Sequence, residues 1–150
     1  MTLSKTLPKT LLAGLAFAAL ALVPAARAQE ALGDLTLSFP GLATKSGKVM
    51  IAVYDSAQGW AAGKAVRVAV ASASDAEPSA KIPALPAGTY AVRAFQDVDG
   101  DGKMGKNPFG LPTEPYGFSR DAMGAMGPPT FDDAAFAVKA GANAQALHLH

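Results

Sequence analysis

Leu85-Pro86-Ala87-Gly88-Thr89-Tyr90-Ala91-Val92 is the stretch on which the fold turns. Pro86, Ala87 and Gly88 are turn chemistry, and Gly88 is placed for a tight turn. Side chains of a strand alternate between its two faces, so Tyr90 and Val92 fall together and point inward as a new strand begins. The same period of two recurs on both sides. Upstream, Leu35, Leu37 and Phe39 alternate with Thr36 and Ser38, and Val49, Ile51 and Val53 with Met50, Ala52 and Tyr54. Val66, Val68 and Val70 alternate with Arg67 and Ala69. Downstream, Ala134, Phe136 and Val138 form one face, and Leu147 and Leu149 another beside His148 and His150. Pro40-Gly41, Ser46-Gly47, Gly63 and Gly141 punctuate the runs. The Ala-rich segments lack a 3.6-residue period, so no helix is expected. About seven short strands at this spacing predict an all-β, antiparallel β-sandwich.

The strand that starts at Tyr90 runs into Asp97-Val98-Asp99-Gly100-Asp101-Gly102. Carboxylates at alternate positions repel one another unless something neutralises them, and a hard cation such as Ca²⁺ does so with oxygen ligands. Asp97, Asp99 and Asp101 match positions 1, 3 and 5 of a calcium loop. Gly102 matches the sharp turn at position 6, and the Lys103 carbonyl stands at position 7. The EF-hand form then fails, because position 12 is Pro108 instead of a bidentate Glu and the preceding segment is a strand. A strand-to-loop calcium site remains, its shell completed by Asn107 or by Glu114. The alternative is a solvated acidic turn partly neutralised by Lys103 and Lys106.

From Asp97 to about Thr130 there is no strand period, but there are seven glycines and five prolines. Loops of this length are uncommon in compact domains and are usually functional or disordered. Phe109, Leu111, Tyr116, Phe118 and three methionines argue against disorder. One long ordered loop at 97–130, capping an end of the sandwich, is therefore expected. Phe109, Tyr116 and Phe118 either pin that loop to the sandwich or line a recognition surface.

The first 28 residues read as an address. Lys5 and Lys9 precede an uncharged Leu11–Val23 run, and Ala26-Arg27-Ala28 is an A-x-A cleavage signal. The apolar run is short for a membrane span. Cleavage after Ala28 would leave residues 29–150 as a single domain, periplasmic or secreted, with no membrane span in the mature chain. Lys5, Lys9 and Arg27 would leave with the leader, so ten basic residues would face 12 acidic ones, a net charge of −2. That balance offers no basic face for nucleic acid. No cysteine is present, which excludes disulfides and a lipidated N-terminal Cys.

The Leu85–Val92 segment resembles the L-P-x-G-x-Y-x-V signature of transthyretin-like and carboxypeptidase-regulatory-like β-sandwich domains. Further motifs follow in order: Gly88-Thr89-Tyr90-Ala91, Asp97-x-Asp99-x-Asp101-Gly102-Lys103, Asn107-Pro108-Phe109-Gly110-Leu111-Pro112-Thr113-Glu114, Tyr116-Gly117-Phe118-Ser119 and Gly127-Pro128-Pro129-Thr130-Phe131. Together they resemble the bacterial secreted family catalogued as domain of unknown function 2141, over about residues 33 to 149. The resemblance implies an exported sandwich of transthyretin/immunoglobulin-like type and no particular activity. Typical members carry Asn at some of the positions where this chain has Asp99 and Asp101, and the extra charge would favour a cation if one binds.

Ser119 sits in Gly-Phe-Ser-Arg-Asp, which lacks a nucleophile elbow. Trp60 is the one ring suited to stacking on a sugar or to capping the core. Asp99 and Glu114 are a possible carboxylate pair. His148 with His150, and Met123 with Met126, offer imidazole and thioether donors. These residues predict a non-enzymatic binding or structural module of the cell envelope, with a structural calcium site and an envelope protein or glycan as partner. The alternatives are a periplasmic hydrolase or carbohydrate-active accessory using loop carboxylates, and a periplasmic copper or zinc binder.

Overall fold

A computed structural model describes residues 31–150, and the leader expected at 1–28 lies outside them. Eight strands form two sheets. One sheet has the order β4 (Ser79–Pro86), β1 (Leu32–Ser38), β8 (Gly141–Ala146). The other has the order β3 (Arg67–Ser72), β2 (Lys48–Tyr54), β5 (Gly88–Asp97), β6 (Tyr116–Phe118), and β7 (Phe136–Val138) pairs with the first residues of β5. The all-β sandwich expected from the periodicity is therefore present. One pair departs from the antiparallel rule: β8 runs parallel to β1, from Gly33 opposite Gly141 to Ser38 opposite Ala146. Strand β7 belongs to the other sheet, so the chain crosses between sheets before β8 and arrives in the same direction as β1.

The Leu85–Val92 segment is where the chain turns from one sheet into the other. β4 ends at Pro86 and β5 begins at Gly88, with only Ala87 between them. Gly88 does not use the left-handed region, whereas Ala84 does, with φ 54°. The corner is closed by the Tyr90 hydroxyl, which donates to the Pro86 carbonyl at 2.8 Å. A tyrosine bonding back to the backbone a few residues upstream resembles the tyrosine corner described for immunoglobulin-type sandwiches. The tight turn expected of Gly88 is thus a sheet-to-sheet corner stabilised by the tyrosine.

Between the sheets, Leu35, Leu37, Phe39, Val49, Ile51, Val53, Tyr90 and Val92 are buried, as their alternation predicts. Strand β3 is an exception. Val68 and Val70 are 78% and 51% exposed, while Ala71 is buried. Register explains this. Ala71 lies opposite the inward Val49, which leaves Val68 and Val70 opposite the outward Ala52 and Met50.

A second apolar cluster covers the opposite face of the larger sheet and contains Tyr54, Trp60, Ala91, Phe131 and Ala134. Trp60 comes from a helix, α1 (Ala57–Ala62), where no helix is expected from the sequence. Ser56 caps that helix by accepting from the Gly59 amide, and Gly63 ends it at φ 66°. Trp60 meets Tyr54 edge-on with ring centroids 5.2 Å apart. Its Nε1 donates to the Pro129 carbonyl at 3.0 Å. The Arg93 guanidinium stacks on the Trp60 ring, 3.9 Å from its centroid, and donates to the Trp60 carbonyl. A second short helix, α2 (Phe131–Ala134), starts from a Thr130/Asp133 capping box. These contacts fasten the far end of the long connection.

That connection is more structured than its composition predicts. It contains β6 and a 3-10 turn at Ser119–Asp121. The Ser119 hydroxyl is fully buried, where it accepts from the Val92 amide and donates to the Ala134 carbonyl. Phe118 packs against the outer cluster. Phe109 does not pin the loop: it is 88% exposed. Among the described residues no helix is long and apolar enough to cross a membrane.

Candidate metal centre

Strand β5 delivers Asp97 to the edge of the sandwich from a rigid platform. Gln96 is fully buried, and its Nε2 donates to the Thr44 and Ser46 carbonyls, both at 2.8 Å. Asp97 is buried, and each of its oxygens accepts one loop amide, from Gly100 at 2.8 Å and from Gly102 at 3.1 Å. Asp99 accepts from the Asp101 amide and Asp101 from the Lys103 amide. Each is a local Asx turn, which coils the backbone around its own carboxylates. Gly100 and Gly102 take φ of 80° and 75°, which permits that coil.

Glu114 returns to this coil from the far side of a hairpin-like excursion. Thr113 donates to the Gly105 carbonyl, Asn107 donates to that of Leu111, and Lys106 bridges to Pro112. The excursion sets the Glu114 oxygens against the Val98 amide (2.8 Å) and the Gly105 amide (2.9 Å). One oxygen each from Asp97, Asp99 and Glu114 then lies within 4.8 Å of the others. Two like charges at 4 Å repel by about 1 kcal/mol in water and about 4 kcal/mol at an effective dielectric of 20. Among the described residues the only ion pair joins Asp121 and His148, so neither Lys103 nor Lys106 forms an ion pair with the cluster. Six backbone N–H groups point at these four carboxylates and offset part of the repulsion. The donor set is all oxygen, which suits a hard cation.

Of the residues expected at such a site, Asp97, Asp99 and Glu114 are brought together. Asp101 stands outside that convergence. Lys103 contributes its amide to the Asp101 turn. Asn107 is committed elsewhere, its Oδ1 accepting from the Phe109 and Leu111 amides at 2.9 and 3.0 Å. That cap builds the tip of the excursion and leaves Phe109 and Leu111, 88% and 61% exposed, facing solvent.

A second group of polar side chains lies near the end of the chain. Asp121 accepts from the His148 amide and pairs with its Nδ1, both at 2.9 Å. The His148 amide is the main reason the Asp121 carboxyl sits below the usual aspartate range. Desolvation opposes it, and the His148 ring and the His150 charge add to it. Asp121 was not legible as a site residue, being 27 positions from its partner. The one local hint is that Arg120 and Asp121 both take left-handed φ, of 61° and 50°, which is uncommon for residues other than glycine.

Trp60 is 5% exposed and walled in by Tyr54, Phe118 and Phe131, so it offers no platform to a sugar.

No curated protein and no solved structure matches this chain. A family model described as an uncharacterized protein conserved in bacteria (DUF2141) matches residues 38–146, most of the chain, which therefore belongs to that family.

Proposed function

We propose that this protein is an exported, non-enzymatic recognition module of the cell envelope whose long loop is set by a structural Ca²⁺ ion. The observation that carries the reading is the position of Glu114. Its oxygens accept the Val98 and Gly105 amides and also stand with Asp97 and Asp99 in one acidic cluster that has no ion pair. A cation there would tie the start of the loop to its return. Beyond that tie lies the Asn107-capped tip with Phe109 and Leu111 outward. Large apolar side chains on an ordered tip are groups that gain by burial against a partner. The partner in this reading is an envelope protein with an apolar recess.

The hydrolase reading draws less support. Trp60, the one ring suited to stacking on a sugar, is buried in the outer apolar cluster. Export rests on the leader read at 1–28.

The test is a thermal melt in millimolar Ca²⁺ against chelator. Calcium sites of extracellular modules have Kd of about 10⁻⁴ to 10⁻³ M. At about 1 mM Ca²⁺ and a Kd of about 10⁻⁴ M, roughly a tenfold excess, binding to the native state alone adds about 1.4 kcal/mol. A midpoint that rises in Ca²⁺ and not in Mg²⁺ is expected. Identical melts in calcium and chelator would sink the reading, and native mass spectrometry counts the bound ions directly.

A further inference from the structure

The chain end builds a second site of opposite chemical character. A cavity of about 210 Å³ lies between β6, the segment after the 3-10 turn and the last residues. Tyr116, Phe118, Asp121, Met123, His148 and His150 are among the residues that line it. The strand-like end of the chain is clamped there, because Tyr116 donates to the His150 carbonyl and His150 donates to that of Tyr116. An ionised carboxylate only accepts hydrogen bonds, so the proton shared by Asp121 and His148 sits on Nδ1. A neutral His148 ring that donates from Nδ1 presents Nε2 as the nitrogen able to bind a metal, the arrangement in which a carboxylate orients a metal-binding imidazole. Met123 is 81% exposed, so its thioether fills no gap in the core, which is the usual use of methionine.

We propose that this cavity binds monovalent copper through Met123, His148 and His150, with Asp121 as the positioning residue for His148. Thioether and imidazole are soft or borderline donors, and that set selects Cu(I) over the hard cations suited to the acidic elbow. Met126 is fully exposed and is not among the residues lining the cavity, so it takes no part. The site is separate from the elbow and stands or falls without it.

The experiment is an anaerobic Cu(I) titration of the purified protein against a chromophoric competitor, with X-ray absorption on the loaded sample. One equivalent with a sulfur neighbour is expected. Met123→Leu removes the sulfur signal and weakens binding at least tenfold, and its exposed position lets the variant fold. His148→Ala weakens it further. Asp121→Asn keeps the same scatterers and weakens affinity by about 10- to 100-fold, the usual effect of losing an orienting carboxylate. Met126→Leu leaves the titration unchanged. Unchanged affinity in Met123→Leu, a site holding only nitrogen neighbours, or a preference for Zn²⁺ would overturn the proposal.

Discussion

The acidic elbow and the histidine cavity sit at two stages of the same connection and are built in opposite ways. The elbow is assembled mainly from its own backbone. Asp97, Asp99 and Asp101 each accept amides at most five residues away, and Glu114 reaches back 16 to Val98. The cavity is assembled by tertiary contact, since Asp121 meets His148 across 27 residues and Tyr116 meets His150 across a longer interval. A locally wound site keeps its geometry when distant packing is disturbed. A site closed by distant segments does not. The difference also extends to chemistry: one offers hard oxygen, the other nitrogen and sulfur.

The strongest way to break this contrast is to remove Trp60. The indole fills the outer cluster and holds Pro129 through Nε1. Trp60→Ala is expected to cost about 3–5 kcal/mol, a fall in midpoint of well over 10 °C at roughly 4 °C per kcal/mol. Pro129 and the 3-10 turn would loosen, so Cu(I) affinity should collapse while the Ca²⁺-dependent rise persists. Calcium and copper titrations of the folded variant measure this, and simultaneous loss of both responses would mean that the two regions are one unit.

Two glycines sharpen the contrast from opposite sides. At Gly117 an added Cβ would strike the His148 carbonyl, and at Gly47, whose φ is 76°, it would strike the Asp97 carbonyl. Both obstacles are backbone and cannot rotate away. Each alanine substitution is expected to cost about 1–3 kcal/mol, as overpacking does. Gly117→Ala should lower Cu(I) affinity and spare the calcium response, whereas Gly47→Ala should do the reverse. If both impair the same site, the division is wrong.

Glu114→Gln addresses the elbow alone. The amide supplies one oxygen where two were used, so either Val98 or Gly105 loses its acceptor, at a cost of about 1–2 kcal/mol. The larger signature is qualitative: the calcium-dependent rise in midpoint disappears, and copper binding is unmoved. Asn107→Ala should leave the calcium response in place, since that side chain is spent on the loop tip.

The sandwich was legible in sequence wherever one face of a strand was large and apolar and the other polar. Leu35, Leu37, Val49, Ile51 and Val53 obey that pattern. It failed on β3, where both faces are apolar and the valines are the outer set. Only the register with β2 settles which way they point. The parallel β1–β8 pair was hidden because periodicity carries no direction. Helix α1 was hidden because six residues containing a glycine show no period, and only the Ser56 and Gly63 caps mark it. At the elbow, spacing pointed to three aspartates, of which Asp97 and Asp99 converge with Glu114 and Asp101 does not; it could not choose between Asn107 and Glu114, whose roles depend on how the excursion folds back. Phe109 has the composition of a core residue, and its exposure follows from the Asn107 cap, a contact no hydropathy pattern encodes.

The smallest expected effect is acid sensitivity at the cavity. The carboxyl of Asp121 titrates below the ordinary aspartate value of about 3.9, chiefly through the His148 amide and also through its ring. A depressed value means that the folded state holds this proton less tightly than the unfolded chain. The stability so contributed is fully present above the unfolded value and is lost as pH falls through the folded one. Asp121 is about half exposed, so solvent screening keeps the contribution small. Asp121→Asn should therefore melt slightly below the parent at pH 6, and the gap should close below about pH 4. Asp133, whose carboxyl is lowered by the Thr130 hydroxyl and amide, is common to both proteins and does not change the gap between them. A gap that stays constant from pH 6 to pH 3 would mean that Asp121 acts through neutral hydrogen bonds. The cavity would then be held by geometry alone, as the elbow's turns are.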